Sequence, residues 1–492
     1  MDEPMMNGDG KSDGRVVPGK RSNKASARAG AAESVEGRRP AKEKSDPDGQ
    51  ARTQSRERLN AALERVREVA RNGKGERFTA LWHHVYDVDR LREAYLATNR
   101  KSAPGVDQVT WQQYGENLQE NLEDLSDRLR REAFWPEHVR RVYIPKADGR
   151  QRPIGMPTLE DKIVQRATAE MLNSIYEVDF QPLSYGFRPG RSQHQALEAL
   201  AAGITRGKVN YVLDADIRGF FDALDHEWLI RFIEHRIADP RVLSVVQKWL
   251  RAGVLEDGKH LDVERGTPQG GSISPLLANI YLHYAFDLWV QQWRKKRVNG
   301  DMLVVRYADD FIVGFQRESD ATQFLADLRE RFQKFGLELH PDKTRLIAFG
   351  RYAAERRQER NEGKPETFDF LGFTHICATN KKGIFYIRRV TSRKKLRAKL
   401  ADLKVKMTRR AQTAHREIGP WLHKVIKGHN LYYGFATNLP ALRRFRDEVV
   451  KLWLRSLRRL SQKHCTTWAR MKPLIDRWIP KPQITQRARL AT

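Results

Sequence analysis

Two adjacent acids, Asp309 and Asp310, interrupt a run of β-forming apolar residues, Leu303-Val304-Val305-Arg306-Tyr307-Ala308-Asp309-Asp310-Phe311-Ile312-Val313. Neighbouring carboxylates in an otherwise buried strand are costly, because like charges resist joint ionisation. A β-hairpin turn that offers both to a divalent cation removes that cost. An Asp-rich hairpin turn is by itself an ordinary structural feature. A second acidic strand changes the balance. Val212-Leu213-Asp214-Ala215-Asp216-Ile217 is again apolar, carries Asp214 and Asp216, and is followed by Phe220 and Phe221. One acid from this strand plus the pair makes a three-carboxylate site. Hard oxygen donors of that kind suit Mg²⁺, which keeps part of its water shell and binds substrate phosphates. Two such ions about 4 Å apart activate an attacking hydroxyl and stabilise a leaving pyrophosphate.

These acids need strands and turns to hold them, and the sequence supplies both. β patterns occur at 140–145, 210–217, 303–315 and 345–350, with long helical patterns at 159–177 and 319–335 between them. The layout is α+β, with the acidic motifs at strand ends and turns. Upstream, Leu59, Ala62, Leu63, Val66, Val69 and Ala70 share one helical face, so order is expected from about Arg56; Gly73 and Gly75 break that helix, and a second helical segment spans 89–100. Residues 1–55 contain no aromatic, Leu or Ile and read as a flexible tail. After about 385 the character changes. Basic residues crowd 391–410 above Leu396, Leu400, Leu403 and Met407, and crowd 441–463 above Leu442, Phe445, Val449, Leu452 and Leu460. These are amphipathic helices with a cationic outer surface, expected to form a separate all-helical domain.

Composition narrows the partners. The 492 residues carry 90 Lys and Arg against 62 Asp and Glu, a net charge of +28. Such self-repulsion is offset by a polyanion, and nucleic acid bound through its phosphates fits. Only Cys377 and Cys465 are present, which excludes a disulfide framework or a four-cysteine zinc site and suits a reducing cytosol. No run approaches the ~18 apolar residues of a membrane span, and no signal peptide is visible.

The ordered blocks then resemble the reverse transcriptase/maturase proteins encoded by bacterial group II introns, from about residue 78 to 480. Lys101–Asp107 (KSAPGVD) resembles the N-terminal extension block, and 144–165 (IPKADGRQRPIGMPTLEDKIVQ) and 184–197 (SYGFRPGRSQHQAL) resemble fingers blocks. DADIRGFFDALDH (214–226) is similar to the first palm motif, and GTPQGGSISPLLANIYL (266–282) to the block lining the nucleotide pocket. YADD (307–310) is similar to the catalytic turn, GLELHPDKT (336–344) and FLGF (370–373) to the last palm motifs, and GHNLYYG (428–434) to the maturase or thumb domain.

The resemblance implies a right-hand-like polymerase with an antiparallel palm sheet, followed by an all-helical thumb/maturase domain. The expected divisions are a tail at 1–55, an N-terminal extension and start of fingers at 56–140, fingers and palm at 141–384, the helical domain at 385–480 and a C-terminal tail at 481–492. It implies Asp216, Ile217, Asp309 and Asp310 as metal contacts for two Mg²⁺ ions, with Mn²⁺ as a substitute. Asp214 is the rival of Asp216, which is preferred because Phe221 then stands at the family's ribose-excluding aromatic position. Asp222 and Asp225 are read as caps or braces. Lys146 and Arg152 are implied to meet the dNTP triphosphate, Gln269 to line the nucleotide pocket, and Lys343 to be a general acid or else a surface ion pair. Arg188, Arg191 and His194 either touch template or brace the fold, and Lys394, Lys395 and Arg397 are candidate RNA contacts. Trp421, Tyr432 and Tyr433 either stack on bases or pack a core.

The implied activity is RNA-directed DNA synthesis, joined to binding of the intron RNA to promote splicing and mobility. Its partners would be intron RNA, an RNA template with DNA primer, and dNTPs, in the bacterial cytoplasm, with neither a monomer nor a dimer specified. The sequence up to Thr492 lacks the cysteine pairs of the nuclease domain carried by some relatives, so an endonuclease-lacking form is expected. The same motifs are compatible with a domesticated relative in phage defence or CRISPR spacer acquisition, or with a splicing-only RNA-binding protein.

Overall fold

The computed structural model describes residues 47–486 except 74, 146–150, 257–258, 262–264, 268–269, 414–416 and 461–466. In chain order its strands are β1 (Val139–Pro145), β2 (Gln151–Met156), β3 (Tyr211–Ala215), β4 (Val254–Glu256), β5 (Lys259–Leu261), β6 (Met302–Tyr307), β7 (Asp310–Phe315), β8 (Arg345–Ala348), β9 (Phe368–Phe370), β10 (Phe373–Thr379) and β11 (Phe385–Thr391).

The central sheet has the order β6-β7-β3-β8, and every neighbouring pair is antiparallel. Its strands are apolar almost throughout, as required of a sheet covered on both faces. The two-residue period sorts their side chains. Leu213, Val304, Phe311, Val313 and Phe315 enter one core, shared with Ile163, Leu172, Ile280 and Phe332 from the helices Leu159–Asp179, Ser274–Leu282 and Glu318–Lys334. Val212, Leu303, Val305, Ile312 and Ile347 enter a second core against the helix Gln193–Arg206 and the aromatics of β9–β11. A strand buried on both sides is thereby held rigidly, and its ends are fixed in space.

A second sheet, β2-β1-β4-β5, pairs β1 with β2 antiparallel and β1 with β4 parallel. It leaves Val142, Tyr143 and Ile144 exposed. The third sheet is β11-β10-β9, antiparallel throughout. Beyond it, helices Arg393–Thr413, Ile418–Tyr433, Leu439–Leu460 and Trp468–Trp478 enclose a third core that includes Leu403, Met407, Leu422, Ile426, Phe445, Val449 and Met471. The mixed helix-and-sheet class, with an antiparallel central sheet, is as expected from the sequence.

Two boundaries differ. The first helix runs Pro47–Asn72 and so begins inside the segment read as a tail. Proline is pre-set for the first position of a helix, and a helix start needs no apolar side chains. The segment from 385 also does not begin as helix: Phe385–Thr391 is a strand with buried and more exposed residues alternating, and helix starts only at Arg393. The alternation of Phe385, Ile387, Arg389 and Thr391 has a period of two, which the downstream charge density obscured. Among the described residues no helix is long and apolar enough to cross a membrane.

Candidate active site

The hairpin β6–β7 closes with Tyr307 paired to Asp310, so its loop is Ala308-Asp309. Ala308 has φ +56, a left-handed value that the first loop residue of a tight hairpin needs and that alanine rarely adopts. What holds it is Arg306. This side chain is fully buried; its Nη1 donates to the Ala308 carbonyl at 3.0 Å and to Asn279 Oδ1 at 3.0 Å, and its Nε donates to Asp287 Oδ1 at 2.8 Å. Asp287 is delivered by a π turn, His283–Asp287, inside the otherwise α-helical run from Ser274 to Arg297. From the other side Gly186 lies so close that a Cβ there would sit 2.3 Å from the Ala308 nitrogen.

β3 ends at Ala215, and the chain beyond it is pinned to 338–340. The His340 N–H donates to the Asp216 carbonyl at 2.8 Å, the Arg218 N–H donates to the Glu338 carbonyl at 2.8 Å, and Ile217 bridges Leu339. This brings Lys343 onto Asp216 as an ion pair. Ile217 is buried and its side chain has no donor atom, so only its main chain could meet a metal. Asp214 sits within β3 and pairs with Arg345 at 3.4 Å. The rivals are thus distinguished by position: Asp214 is on the strand and faces Arg345, whereas Asp216 is at the strand end beside the turn.

The carboxylates repel one another. Although its side chain reaches solvent, Asp310 is pushed up to about 7, by desolvation first and then by the charges of Asp309, Asp216 and Asp214. Burial raises Asp309 as well, with Asp216 adding to it and Arg152 and Arg306 opposing. Burial pushes Asp214 up to about 6 against the pull of Arg345. Among the described residues no group of three or more His, Cys, Asp or Glu side chains is closed into a ready metal cage. The donor set nevertheless fits a divalent cation: several carboxylates within electrostatic reach, with Asp309 and Asp310 raised first by burial and then by neighbouring negative charge, and Lys343 as the cation bonded to Asp216.

Around this centre, Gly219 with φ +54 turns the chain into the short helix Phe220–Ala223. Phe221 is half-buried, and its carbonyl accepts from the Thr267 N–H at 2.8 Å. Thr267 is therefore held against the Phe221 main chain, and Gly270 approaches β2, where a Cβ would be 2.3 Å from the Gly155 carbonyl. Arg152, exposed on β2 opposite Ile144, is near enough to act on Asp309. Lys146 and Gln269 lie outside the described residues. Asp225 caps the helix His226–Glu234, accepting from the Trp228 N–H at 3.0 Å.

Other expected residues are placed elsewhere. Arg188 is buried; it pairs with Glu177 at 3.0 Å and donates to the carbonyls of Gln181 and Ser184. Its guanidinium is occupied by these protein acceptors, the arrangement of a brace. Arg191 donates to the Pro182 carbonyl at 3.1 Å and lies over Tyr185. His194 bonds the Tyr432 carbonyl at 2.9 Å, and Tyr432 and Tyr433 pack on the second core. Trp421 packs on the third core with Arg410 over its ring. Lys394, Lys395 and Arg397 are exposed on the helix Arg393–Thr413. Sequence reasoning missed Arg306, Asp287, Asn279 and Gly186 as supports of the turn. The available signal was an arginine in an otherwise apolar strand, which requires a buried acid as partner.

The family described as reverse transcriptase (RNA-dependent DNA polymerase) matches residues 144–375. Protein YkfC of Escherichia coli (strain K12) is 36% identical, over 44% of this chain and 65% of that protein. The group II intron-encoded protein LtrA of Lactococcus lactis subsp. cremoris is 38% identical, over 48% of this chain and 39% of that protein. The retron Mx162 reverse transcriptase of Myxococcus xanthus is 27% identical, over 53% of this chain and 56% of that protein. The chain spans less than two thirds of the length of each of these relatives.

Proposed function

We propose, for a chain that carries a reverse transcriptase domain over residues 144–375 and is related to group II intron-encoded proteins, that it is an RNA-directed DNA polymerase that also binds its intron RNA to promote splicing and mobility. The observation that carries the reading is the juxtaposition of the strained Ala308-Asp309 turn with Asp216, just beyond the end of β3, whose charge acts on both Asp309 and Asp310. On this reading the β1–β2 hairpin belongs to the fingers, the four-stranded sheet is the palm, and the helices from Arg393 onward form the thumb and maturase surface.

Asp216, Asp309, Asp310 and the main chain of Ile217 would hold Mg²⁺, two ions in the complete site. When bound, the metal lowers the pKa of the primer 3′-hydroxyl and neutralises charge on the triphosphate and pyrophosphate. The chain's own groups do the rest. Arg152, with Lys146, draws the triphosphate of the incoming dNTP toward the turn. Phe221, whose main-chain carbonyl is held by the Thr267 N–H, would exclude a ribose 2′-hydroxyl with its ring. Lys343, ion-paired with Asp216, would give a proton to departing pyrophosphate. Catalysis is then mostly positioning and electrostatic stabilisation. The exposed Lys394, Lys395 and Arg397 grip phosphates of folded RNA, whose shape and backbone are what such surfaces read. Its place would be the bacterial cytoplasm, with its RNA.

The two halves of the reading separate in one experiment. A precursor RNA carrying the cognate intron is incubated with wild type and with Asp309→Ala, and splicing and cDNA synthesis are scored in parallel. Splicing retained with cDNA lost supports both halves. Splicing lost in a well-folded variant overturns the claim that binding alone serves splicing.

A further inference from the structure

Phe187 carries two costs. The residue is 56% exposed, and its backbone has φ +54, a region that bulky side chains avoid. The fold imposes both from its two sides. On one side Gly186 is jammed against Ala308, and its carbonyl accepts from Asn279 Nδ2 at 2.8 Å. The Tyr185 N–H also donates to the Arg306 carbonyl at 2.9 Å. On the other side Arg188 is locked by Glu177. The backbone through 185–188 is thus over-determined, and the ring is left in solvent with its centroid 6.3 Å from that of Tyr307, the residue that opens the acidic turn.

Strain of this kind persists where the surroundings enforce it, and it clusters at functional sites. An exposed aromatic beside a carboxylate turn offers no anion site and no metal ligand. What it offers is a π face, and nucleobases bind such faces without regard to sequence. We infer that Phe187 is a stacking surface for a base of the primer–template held at the Asp309–Asp310 turn, a positioning residue that helps seat the growing end. The inference rests on the polymerase reading. Its ring does not touch the reacting atoms; it fixes the duplex end relative to the carboxylates.

Phe187→Gly tests this, because glycine relieves the positive φ while removing the ring. Three properties are measured: the melting temperature, the Kd for an RNA template annealed to a DNA primer, and the fluorescence of 2-aminopurine at the primer terminus. The expected result is a melting temperature no lower than wild type, a Kd raised roughly tenfold and loss of the 2-aminopurine signal change on binding, with Phe187→Tyr restoring both binding readouts. Wild-type affinity and signal in the glycine variant would overturn the inference. So would a lowered melting temperature, which would assign the ring to packing. Wild-type primer extension is run alongside. Failure to make cDNA sinks the polymerase reading, whereas unchanged binding by the glycine variant with normal cDNA sinks only the stacking role.

Discussion

Arg306 and Asp287 form an ion pair in which neither side chain has any solvent exposure, and the same guanidinium holds the carbonyl of Ala308 in the acidic turn. A buried pair is a weak source of net stability, but removing one partner strands the other charge. Asp287→Ala is expected to cost on the order of 3–5 kcal/mol in denaturant unfolding. Arg306→Lys keeps the charge but loses the fork that reaches Asp287, Asn279 and Ala308 together. It should stay folded while cDNA synthesis falls steeply. Wild-type stability in Asp287→Ala would show that the pair does not support the turn.

Gly186 allows a direct comparison with Gly190. A Cβ at 186 would meet the Ala308 backbone, which cannot swing aside, whereas Gly190 has φ +70 and nothing within 4 Å. Gly190→Ala should cost only the left-handed strain, about 1–2 kcal/mol. Gly186→Ala should displace the turn, with overpacking of roughly 1–3 kcal/mol and a disproportionate loss of polymerase rate. Equal activities in the two variants would contradict the proposed contact.

Asp161 supplies a pH test away from the carboxylate centre. It is buried and accepts from the Thr158 hydroxyl at 2.9 Å and Trp249 Nε1 at 3.2 Å, and burial pushes its carboxyl up to about 7. In the unfolded chain the same group titrates near ~4. Between those values the folded state keeps a proton that the unfolded state has released. Stability therefore falls as pH rises through this window and levels off above it. Urea midpoints measured from pH 4 to 8 should show that fall, and Asp161→Asn should flatten it.

The central sheet, its hairpin and the basic helices were legible because their periods are strong: apolar runs for strands covered on both faces, and Leu at helical spacing beneath charge. That an acid of the 214–216 stretch would face the turn was an expectation from strand ends, and the preference for Asp216 came from the position of Phe221 in the family resemblance. The supports of the turn were not. Asp287 reaches Arg306 only because a π turn shifts the helix register, and an i, i+4 reading does not reveal such a shift. Gly186 and Phe187 matter through contacts with Ala308 and Tyr307, far away in sequence. The strand at 385–391 was hidden by the charge density that follows it, since its two-residue alternation runs directly into the basic helix from Arg393.

Asp310 links pH to metal. Desolvation and the neighbouring Asp309, Asp216 and Asp214 push it up to about 7, and a divalent cation needs the ionised form. The rise in melting temperature caused by Mg²⁺ should therefore grow between pH 6 and pH 8. Asp310→Asn should be more stable than wild type without metal at pH 8, because one of the repelling charges is gone, and should gain little from Mg²⁺. A wild-type Mg²⁺ response that is the same at both pH values would contradict this.

The most direct measurement is primer extension on an RNA template with dNTPs and Mg²⁺, comparing wild type with Asp309→Asn, a change that keeps side-chain size and removes one charge. Wild type is expected to copy the RNA to full-length cDNA, and the variant to lose at least about a hundredfold in rate while melting no lower than wild type. No cDNA from wild type, or undiminished synthesis by Asp309→Asn, would contradict the assignment of polymerase chemistry to this turn.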